Sequence, residues 1–231
     1  MPPKRLPKVF VLRHGETEWS LTGQYTGITE LELTPPGVSM VRELGEKAVG
    51  PGKLIDPGLI SKVFISPRLR ARHTFELLFS SSPVKPVLNV EERCHEWTYG
   101  EYEGFYAWQA AASRAAKGLP SGEEGWDLWT DGCEGGESPE DVTKRADEVV
   151  GLVKKVHRQW YEDPHRKEKD EGGDVLIISH GNFSRCLLAR WPGLPLKDGK
   201  MFALDPGGVC IGQYDGKLNK RVLGALNVGM I

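Results

Sequence analysis

Short apolar runs alternate along the chain with segments whose apolar residues recur at helical spacing. The apolar runs predict strands at 9–12, 60–65, 84–90 and 174–179, followed by a hairpin of 209–214 and 221–226. Helices are predicted at 38–49, from 66 onwards, at 105–117, at 138–160 and at 182–190. This alternation predicts a single α/β domain over residues 1–231, with a mostly parallel sheet in a three-layer α/β/α arrangement.

Capping residues mark where several of these helices begin. Thr34 precedes Pro35, which pairs an N-cap with a proline in the first turn. Ser138 opens the longest helix and has an acidic residue, Asp141, three positions later. Ser66 is predicted in the same way to cap the helix that follows it.

Composition narrows the possible classes of protein without selecting one. The 231 residues carry a formal net charge of −2, and 39% are hydrophobic and 27% charged, as in ordinary globular proteins. This balance predicts neither a nucleic-acid partner nor an anionic-membrane partner. No apolar run has membrane-spanning length, and the first residues lack the apolar core of a signal peptide. Four widely spaced cysteines favour a reducing, cytoplasmic setting.

Two of the predicted strands end in a histidine followed by a glycine. The first strand runs into Arg13-His14-Gly15, and the strand at 174–179 runs into His180-Gly181. Ligands of open α/β sheets bind at the carboxyl ends of the strands, so both imidazoles are expected in one pocket. Gly15 is expected to let the chain turn and to leave room for a ligand.

Cations and carboxylates elsewhere in the chain indicate the chemistry of this pocket. Arg68, Arg70 and Arg72 lie near the start of a predicted helix, where they are interpreted as anion ligands. Glu96 precedes Trp97 in an acidic, aromatic stretch where partial burial would raise a carboxyl pKa. Guanidinium groups bind phosphoryl groups bidentately, a neutral imidazole can attack phosphorus, and a carboxylic acid can protonate a leaving oxygen. A zinc site is the alternative, ranked lower because the arginines repel a divalent cation.

Three motifs together resemble the histidine phosphatase superfamily of phosphoglycerate-mutase-like enzymes. They are Leu12-Arg13-His14-Gly15-Glu16-Thr17, the segment 66–74 and Ser179-His180-Gly181-Asn182, and they occur in the family's order. The resemblance implies the phosphoglycerate-mutase-like fold and a reaction that needs neither a metal nor another cofactor. It also implies a phosphohistidine intermediate.

The resemblance assigns roles to individual residues. It implies that His14 is the phosphorylated nucleophile and that Glu96 is the proton donor. It implies that the phosphoryl group is held by Arg13, Arg70 and His180. The remaining candidates for contacts to the substrate are Thr26, Gly27, Arg68, Tyr99, Tyr102, Gly181 and Arg185.

Within the family, the resemblance favours hydrolysis over mutase transfer. Mutases of this family have an arginine-rich segment after the acidic loop, whereas residues 118–136 here contain no arginine. The sequence Gly135-Gly136-Glu137-Ser138 is similar to the phosphatase branch. Two alternatives stay open: a phosphoglycerate mutase, and a member that acts on or only binds a phosphoprotein. A module that only binds has no need of Glu96.

Three segments are most similar to the sedoheptulose-1,7-bisphosphatase group. They are 24–27, 96–104 and 129–137. The resemblance implies a small-molecule sugar bisphosphate as substrate, either sedoheptulose-1,7-bisphosphate or fructose-1,6-bisphosphate, with the C1 phosphate removed. The segment between Trp191 and Gly207 is shorter than in that group. The oligomeric state is left open, a homo-oligomer included.

Overall fold

The computed structural model describes residues 5–121, 125–164 and 172–228. Six strands form one sheet in the order β3-β2-β4-β1-β5-β6. The strands are β1 (Val9–Arg13), β2 (Ile60–Ile65), β3 (Leu88–Val90), β4 (Asp174–Ser179), β5 (Val209–Tyr214) and β6 (Arg221–Val228). The first four strands run parallel, β5 pairs antiparallel with β1, and β6 pairs antiparallel with β5 at the edge of the sheet. The prediction of a mostly parallel sheet is confirmed.

Helices cover both faces of the sheet and complete three layers. The helices are α1 (Glu18–Thr22), α2 (Pro35–Ala48), α3 (Leu69–Leu78), α4 (Ala107–Ala116), α5 (Leu128–Asp131), α6 (Pro139–Glu162) and α7 (Gly181–Arg190). In β1, Val9 and Val11 pack towards α6 and α7, while Phe10 and Leu12 pack towards α2 and α3. Both sets are buried, as is usual for a central strand covered on two faces.

Two of the three predicted N-cap residues are confirmed. The Thr34 side chain accepts a hydrogen bond from the Gly37 N–H, and Ser138 forms a reciprocal capping box with Asp141. The prediction for Ser66 is wrong. Helix α3 begins at Leu69 without a side-chain cap, and the Ser66 hydroxyl lies 2.6 Å from Nε2 of His180.

Several element boundaries differ from the predictions for local reasons. Strand β3 is shorter than the predicted 84–90, because Pro86 cannot donate to a strand ladder and Val87 is exposed. Helix α1 is not among the predicted helices, and it begins where Thr17 forms a capping box with Ser20. Between the predicted helix at 138–160 and the predicted strand at 174–179, residues 165–171 lie outside the described part of the chain. In the described part, no helix is both long and apolar enough to cross a membrane.

One buried histidine in the core has no connection with the pocket. The His157 ring on α6 lies edge-on to Trp191 and to Tyr214, and its Nδ1 is 2.9 Å from the Tyr214 hydroxyl. Burial lowers the pKa of His157 to about 4. The folded protein therefore holds this ring neutral at pH values where an unfolded chain binds a proton.

This burial predicts a specific loss of stability in acid. Stabilisation from the neutral His157 ring is complete above pH 6.5 and is lost as the pH falls towards 4. We expect the free energy of unfolding to fall between pH 7.5 and 4.5 by about 2 to 3 kcal/mol more in the wild type than in His157→Gln. Urea titrations at both pH values measure the difference. Equal losses in the two proteins would show that His157 does not contribute.

Candidate active site

A cleft of about 470 Å³ opens at the carboxyl ends of β1 and β4. The register pairs Arg13 with Ser179, so the residues that follow each strand lie side by side. Its walls include the following residues: Arg13, His14, Thr17, Trp19, Gln24, Tyr25, Thr26, Glu96, Tyr99, Gly181, Asn182, Arg185, Lys200 and 201–205. The cleft has the size of a site for a small molecule.

The His14 imidazole is held in one tautomer. Its Nδ1 lies 2.7 Å from the carbonyl oxygen of Gly15, which can only accept, so Nδ1 carries the proton. The neutral ring therefore has its lone pair on Nε2. Burial, followed by the charges of Arg70 and Arg13, holds the pKa of His14 well below 6.5. The ring is neutral, and so nucleophilic, at neutral pH.

The His180 imidazole is held in the opposite tautomer. Nε of Arg70 donates to Nδ1 of His180 over 3.2 Å, which leaves the proton on Nε2 to be donated to the Ser66 hydroxyl. The ring centroids of His14 and His180 are 5.0 Å apart, with an interplanar angle of 64°. His180 is fully buried behind His14, and burial keeps its pKa well below 6.5.

Arg70 is buried against the main chain of the loop that precedes α2. Its guanidinium donates to the carbonyl oxygens of Thr29 at 2.8 Å and Thr26 at 3.0 Å. On the opposite side of the loop, the Glu103 carboxylate accepts from the N–H groups of Gly27 and Thr29, both at 2.9 Å. The loop is thus clamped between a cation and an anion, which places Thr26 on the cleft.

Glu96 is a buried carboxylate that accepts three main-chain hydrogen bonds. The donors are the N–H groups of Trp97 at 2.7 Å, Phe183 at 2.8 Å and Asn182 at 2.9 Å. Two of them belong to the first turn of α7, where unpaired amides attract negative charge. Burial nevertheless outweighs these bonds and raises the pKa of Glu96. The group can hold a proton at a higher pH than an exposed glutamate.

A partly buried ion pair positions the loop that carries Glu96. Arg145 on α6 binds both oxygens of Glu137 over 2.7 Å and donates to the carbonyl oxygen of His95 over 2.8 Å. Glu137 in turn accepts from the Thr98 N–H at 2.9 Å. The loop is tied to α6 on both sides of Glu96.

Polar and aromatic groups line the rest of the cleft. The Tyr99 hydroxyl accepts from the Asn182 amide at 2.8 Å, and the Tyr99 ring stacks on Tyr25 with centroids 4.6 Å apart. Burial raises the pKa of Tyr99 well above 10, so the phenol is protonated. Arg185 donates to the Asn182 side chain at 3.1 Å and to the Lys200 carbonyl at 2.6 Å.

The two glycines of the His-Gly pairs are needed for different contacts. A Cβ at Gly181 would lie 3.2 Å from Cζ of Arg13, so the missing side chain leaves room for that guanidinium. A Cβ at Gly15 would lie 2.7 Å from a methyl of Val41. The expectation that Gly15 leaves room for a ligand is therefore corrected: it allows α2 to pack against this turn.

The structure brings most of the predicted site residues to one place. Those on the cleft wall are Arg13, His14, Thr26, Glu96, Tyr99, Gly181 and Arg185. Arg70 and His180 lie immediately behind His14. Arg68 instead pairs with Glu30 at 3.2 Å, and Gly27 binds Glu103.

Tyr102 is the clearest misplacement among the predicted substrate contacts. Its ring is fully buried and lies edge-on to Trp126, with ring centroids 5.3 Å apart. It therefore belongs to the aromatic core and does not reach the cleft. Several residues on the cleft wall were not predicted, and among them are Asn182, Lys200 and Asp205. Asn182 stands inside the His180-Gly181 motif and could have been identified there, whereas Lys200 and Asp205 lie in a segment without a recognisable pattern.

The alternative of a zinc site requires several ligands to converge. Over residues 5–121, 125–164 and 172–228, no group of three or more His, Cys, Asp or Glu side chains has the geometry to hold a metal ion. At Glu96, all three hydrogen bonds to the carboxylate come from the main chain.

Comparison with known sequences identifies the class of protein. Residues 9–225 match the histidine phosphatase superfamily (branch 1), and the chain belongs to this family. The chain is 35% identical over 196 residues to sedoheptulose 1,7-bisphosphatase of Saccharomyces cerevisiae, covering 83% of this chain and 70% of that protein. It is 37% identical over 205 residues to an acid phosphatase of Mycobacterium tuberculosis, covering 88% and 85%. The protein is a phosphoric monoester hydrolase of this superfamily with a small-molecule phosphate substrate.

Solved structures show the same fold. A Mycobacterium tuberculosis protein described as an open reading frame product superposes with a TM-score of 0.74 at 33% identity, covering 97% of this chain and 99% of that chain. The chain is also similar, at lower identity, to the 2,3-bisphosphoglycerate-dependent phosphoglycerate mutase of Cytophaga hutchinsonii: 25% over 214 residues, covering 93% of this chain and 91% of the mutase.

The ion pair between Arg145 and Glu137 supports the Glu96 loop. Loss of Arg145 should therefore lower the free energy of unfolding more than loss of an arginine in an exposed ion pair. Arg145→Met leaves the largely buried Glu137 carboxylate without its partner, which should lower the free energy of unfolding by about 3 kcal/mol. The matched control is Arg190→Met, which removes a pair to the more exposed Asp147 and should cost about 1 kcal/mol or less. Urea denaturation measures both, and similar losses would contradict a supporting role for Arg145.

Proposed function

We propose that the chain, acting as one domain, hydrolyses a phosphate monoester of a sugar bisphosphate through a phosphohistidine at His14. The preferred substrate in this proposal is sedoheptulose-1,7-bisphosphate, with fructose-1,6-bisphosphate also accepted. One observation carries the chemistry: the lone pair of a buried, neutral His14 ring lies on Nε2, in a cleft shared with Arg13 and Glu96. The similarity to the yeast bisphosphatase supports the choice of substrate.

In the first half of the proposed reaction, Nε2 of His14 attacks phosphorus. The bond between phosphorus and the sugar oxygen breaks, and Glu96 gives its proton to that oxygen. The guanidinium group of Arg13 binds the phosphoryl group, and the positive charge of Arg70 behind His14 adds to its stabilisation. His180 donates its N–H to Ser66, and its Nδ1 accepts from Arg70, so its role in this proposal is to position Arg70. Arg13 lies on the cleft wall, and among the described residues its Nε has no hydrogen-bond partner.

In the second half, water replaces the histidine. The Glu96 carboxylate takes a proton from the water as its oxygen bonds to phosphorus, and the N–P bond breaks with its electron pair returning to Nε2. The products are the sugar alcohol group and inorganic phosphate, and Glu96 is again protonated. Its raised pKa suits it to both roles.

Features of the cleft away from His14 fit a substrate with a second phosphate. Arg185 and Lys200 place two cationic side chains on the wall, and Lys200 is half-exposed beside Asp127 at 3.2 Å. Tyr99 and Asn182 add hydrogen-bonding groups suited to hydroxyls. We assign Arg185 and Tyr99 to substrate binding.

Phosphate release from a panel of esters tests the proposed function. The panel contains sedoheptulose-1,7-bisphosphate, fructose-1,6-bisphosphate, fructose-6-phosphate, 3-phosphoglycerate and a phosphotyrosine peptide, each with EDTA. We expect fast release from the two bisphosphates, and none from them with His14→Ala. Isomerised phosphoglycerate without net phosphate would identify a mutase, and fast release from the peptide alone a protein phosphatase. Loss of all activity in EDTA would contradict the reaction without a metal.

Glu96 is proposed to protonate the leaving oxygen and later to take a proton from water. Glu96→Gln should therefore show a burst of product release with a leaving group that needs no proton. The glutamine cannot protonate a sugar alkoxide, so turnover of the bisphosphate should fall by about 10² to 10⁴. With p-nitrophenyl phosphate the leaving group needs no proton, so the phosphohistidine should still form. We expect one equivalent of p-nitrophenolate per site in a rapid burst, followed by slow hydrolysis. Stopped-flow absorbance measures the burst, and equal losses on both esters without a burst would remove Glu96 from these roles.

A further inference from the structure

A turn at residues 204–208, just before β5, is bonded directly to β1, the strand that precedes His14. The N–H of Gly207 lies 3.1 Å from the carbonyl oxygens of both Arg13 and His14, and the N–H of Arg13 donates to the Gly208 carbonyl at 3.1 Å. The Arg13 guanidinium donates to the Leu204 carbonyl at 2.8 Å. Residues 204–208 are therefore held in register with the catalytic end of β1, and Asp205 lies on the cleft wall.

A bulge in the edge strand β6 lies behind this turn. Val209 pairs with Val228 and Ile211 with Ala225, so two residues of β6 oppose one of β5. One of the two, Asn227, has φ of +53°, and it is the single non-glycine residue with positive φ in the described part of the chain. A positive φ at a residue other than glycine costs about 1 kcal/mol or more. The conformation persists only where contacts with neighbouring residues stabilise it.

The bulge directs the Asn227 side chain onto Asp205. The Asn227 amide Nδ2 donates to Oδ2 of Asp205 at 2.7 Å, and Oδ1 of Asn227 accepts from the Asp205 N–H at 3.0 Å. This reciprocal pair fixes both the main chain and the carboxylate of Asp205. Asp205 is an exposed residue. In the described part of the chain, no hydrogen bond reaches its other carboxylate oxygen, Oδ1.

We propose that Asp205, positioned by Asn227, is a specificity residue that accepts hydrogen bonds from hydroxyl groups of the substrate. The inference rests on the proposed sugar-phosphate function and deepens it. A carboxylate can only accept, so it favours a polyhydroxylated chain next to the reacting phosphate. It repels a second anionic group at the same place, which disfavours phosphoglycerates. Arg185 and Lys200 remain for an anionic group elsewhere in the cleft.

The test compares how well each variant discriminates between esters. We use kcat/KM for sedoheptulose-1,7-bisphosphate, p-nitrophenyl phosphate and 3-phosphoglycerate with the wild type, Asp205→Asn and Asn227→Gly. Glycine keeps the positive φ at 227 but removes the amide. Asp215→Asn is the matched control, because Asp215 is an exposed carboxylate that pairs with Lys220 on the β5–β6 hairpin.

We expect Asp205→Asn to lower the preference for the bisphosphate over p-nitrophenyl phosphate by about tenfold, mainly through KM, as for a lost hydrogen bond to a charged group. The preference for 3-phosphoglycerate should rise in the same variant. Asn227→Gly should shift both preferences in the same direction by a smaller factor. Asp215→Asn should leave them unaltered.

Two results would overturn the inference. One is an unaltered preference in Asp205→Asn; the other is an equal loss on all three esters, which would mean that Asp205 supports only the turn over Arg13. Failure of the proposed function is a separate result, recognised by a wild type that releases no phosphate from either bisphosphate. Sorbitol 6-phosphate then replaces the bisphosphate, and an unaltered preference for it over p-nitrophenyl phosphate in Asp205→Asn would overturn the inference alone.

Discussion

The parallel pairing of β1 with β4 is the constraint on which the rest of the site depends. Because Arg13 lies opposite Ser179, the two histidines that follow these strands are brought to ring centroids 5.0 Å apart. The His14 N–H donates to the Ser179 carbonyl at 2.9 Å, which extends the pairing by one residue into the site. Side chains 166 residues apart in the chain are thus held by a sheet whose strands are buried on both faces.

Main-chain groups, more than partner side chains, balance the buried charges around these rings. Arg70 donates to carbonyl oxygens of the 26–29 loop, and Glu96 accepts from three N–H groups. Main-chain partners of this kind are already fixed by the fold, so the charges do not have to collapse onto one another. The result is a site in which a cation, a neutral imidazole and a carboxyl of raised pKa coexist within one cleft.

The tautomers of the two histidines follow from the same arrangement. A carbonyl oxygen faces Nδ1 of His14, whereas a guanidinium N–H faces Nδ1 of His180. Both rings are neutral imidazoles that follow adjacent parallel strands. Nε2 nevertheless carries a lone pair in His14 and a proton in His180. In each ring, a single neighbouring atom at Nδ1 decides which nitrogen carries the proton.

The sequence by itself determined the layers, the strand that carries His14 and the pairing of two strand-end histidines. These depend on apolar periodicity, capping at Thr34 and Ser138, and local motifs, all of which act over a few residues. It also singled out Glu96 and Arg70, though only through resemblance to a family, since the acidic stretch at 91–103 offers several carboxylates.

Only the tertiary structure decided where the neighbouring arginines lie and which tyrosine reaches the cleft. Arg68 and Arg70 lie two residues apart at the start of α3, yet Arg68 pairs with Glu30 and Arg70 lies behind His14. Tyr102 is buried while Tyr99 lines the cleft. The position of the Asp205 carboxylate depends on Asn227, which lies in a bulge 22 residues further along the chain. Helix rotation, burial and strand register arise from contacts between distant segments, and no local pattern records them.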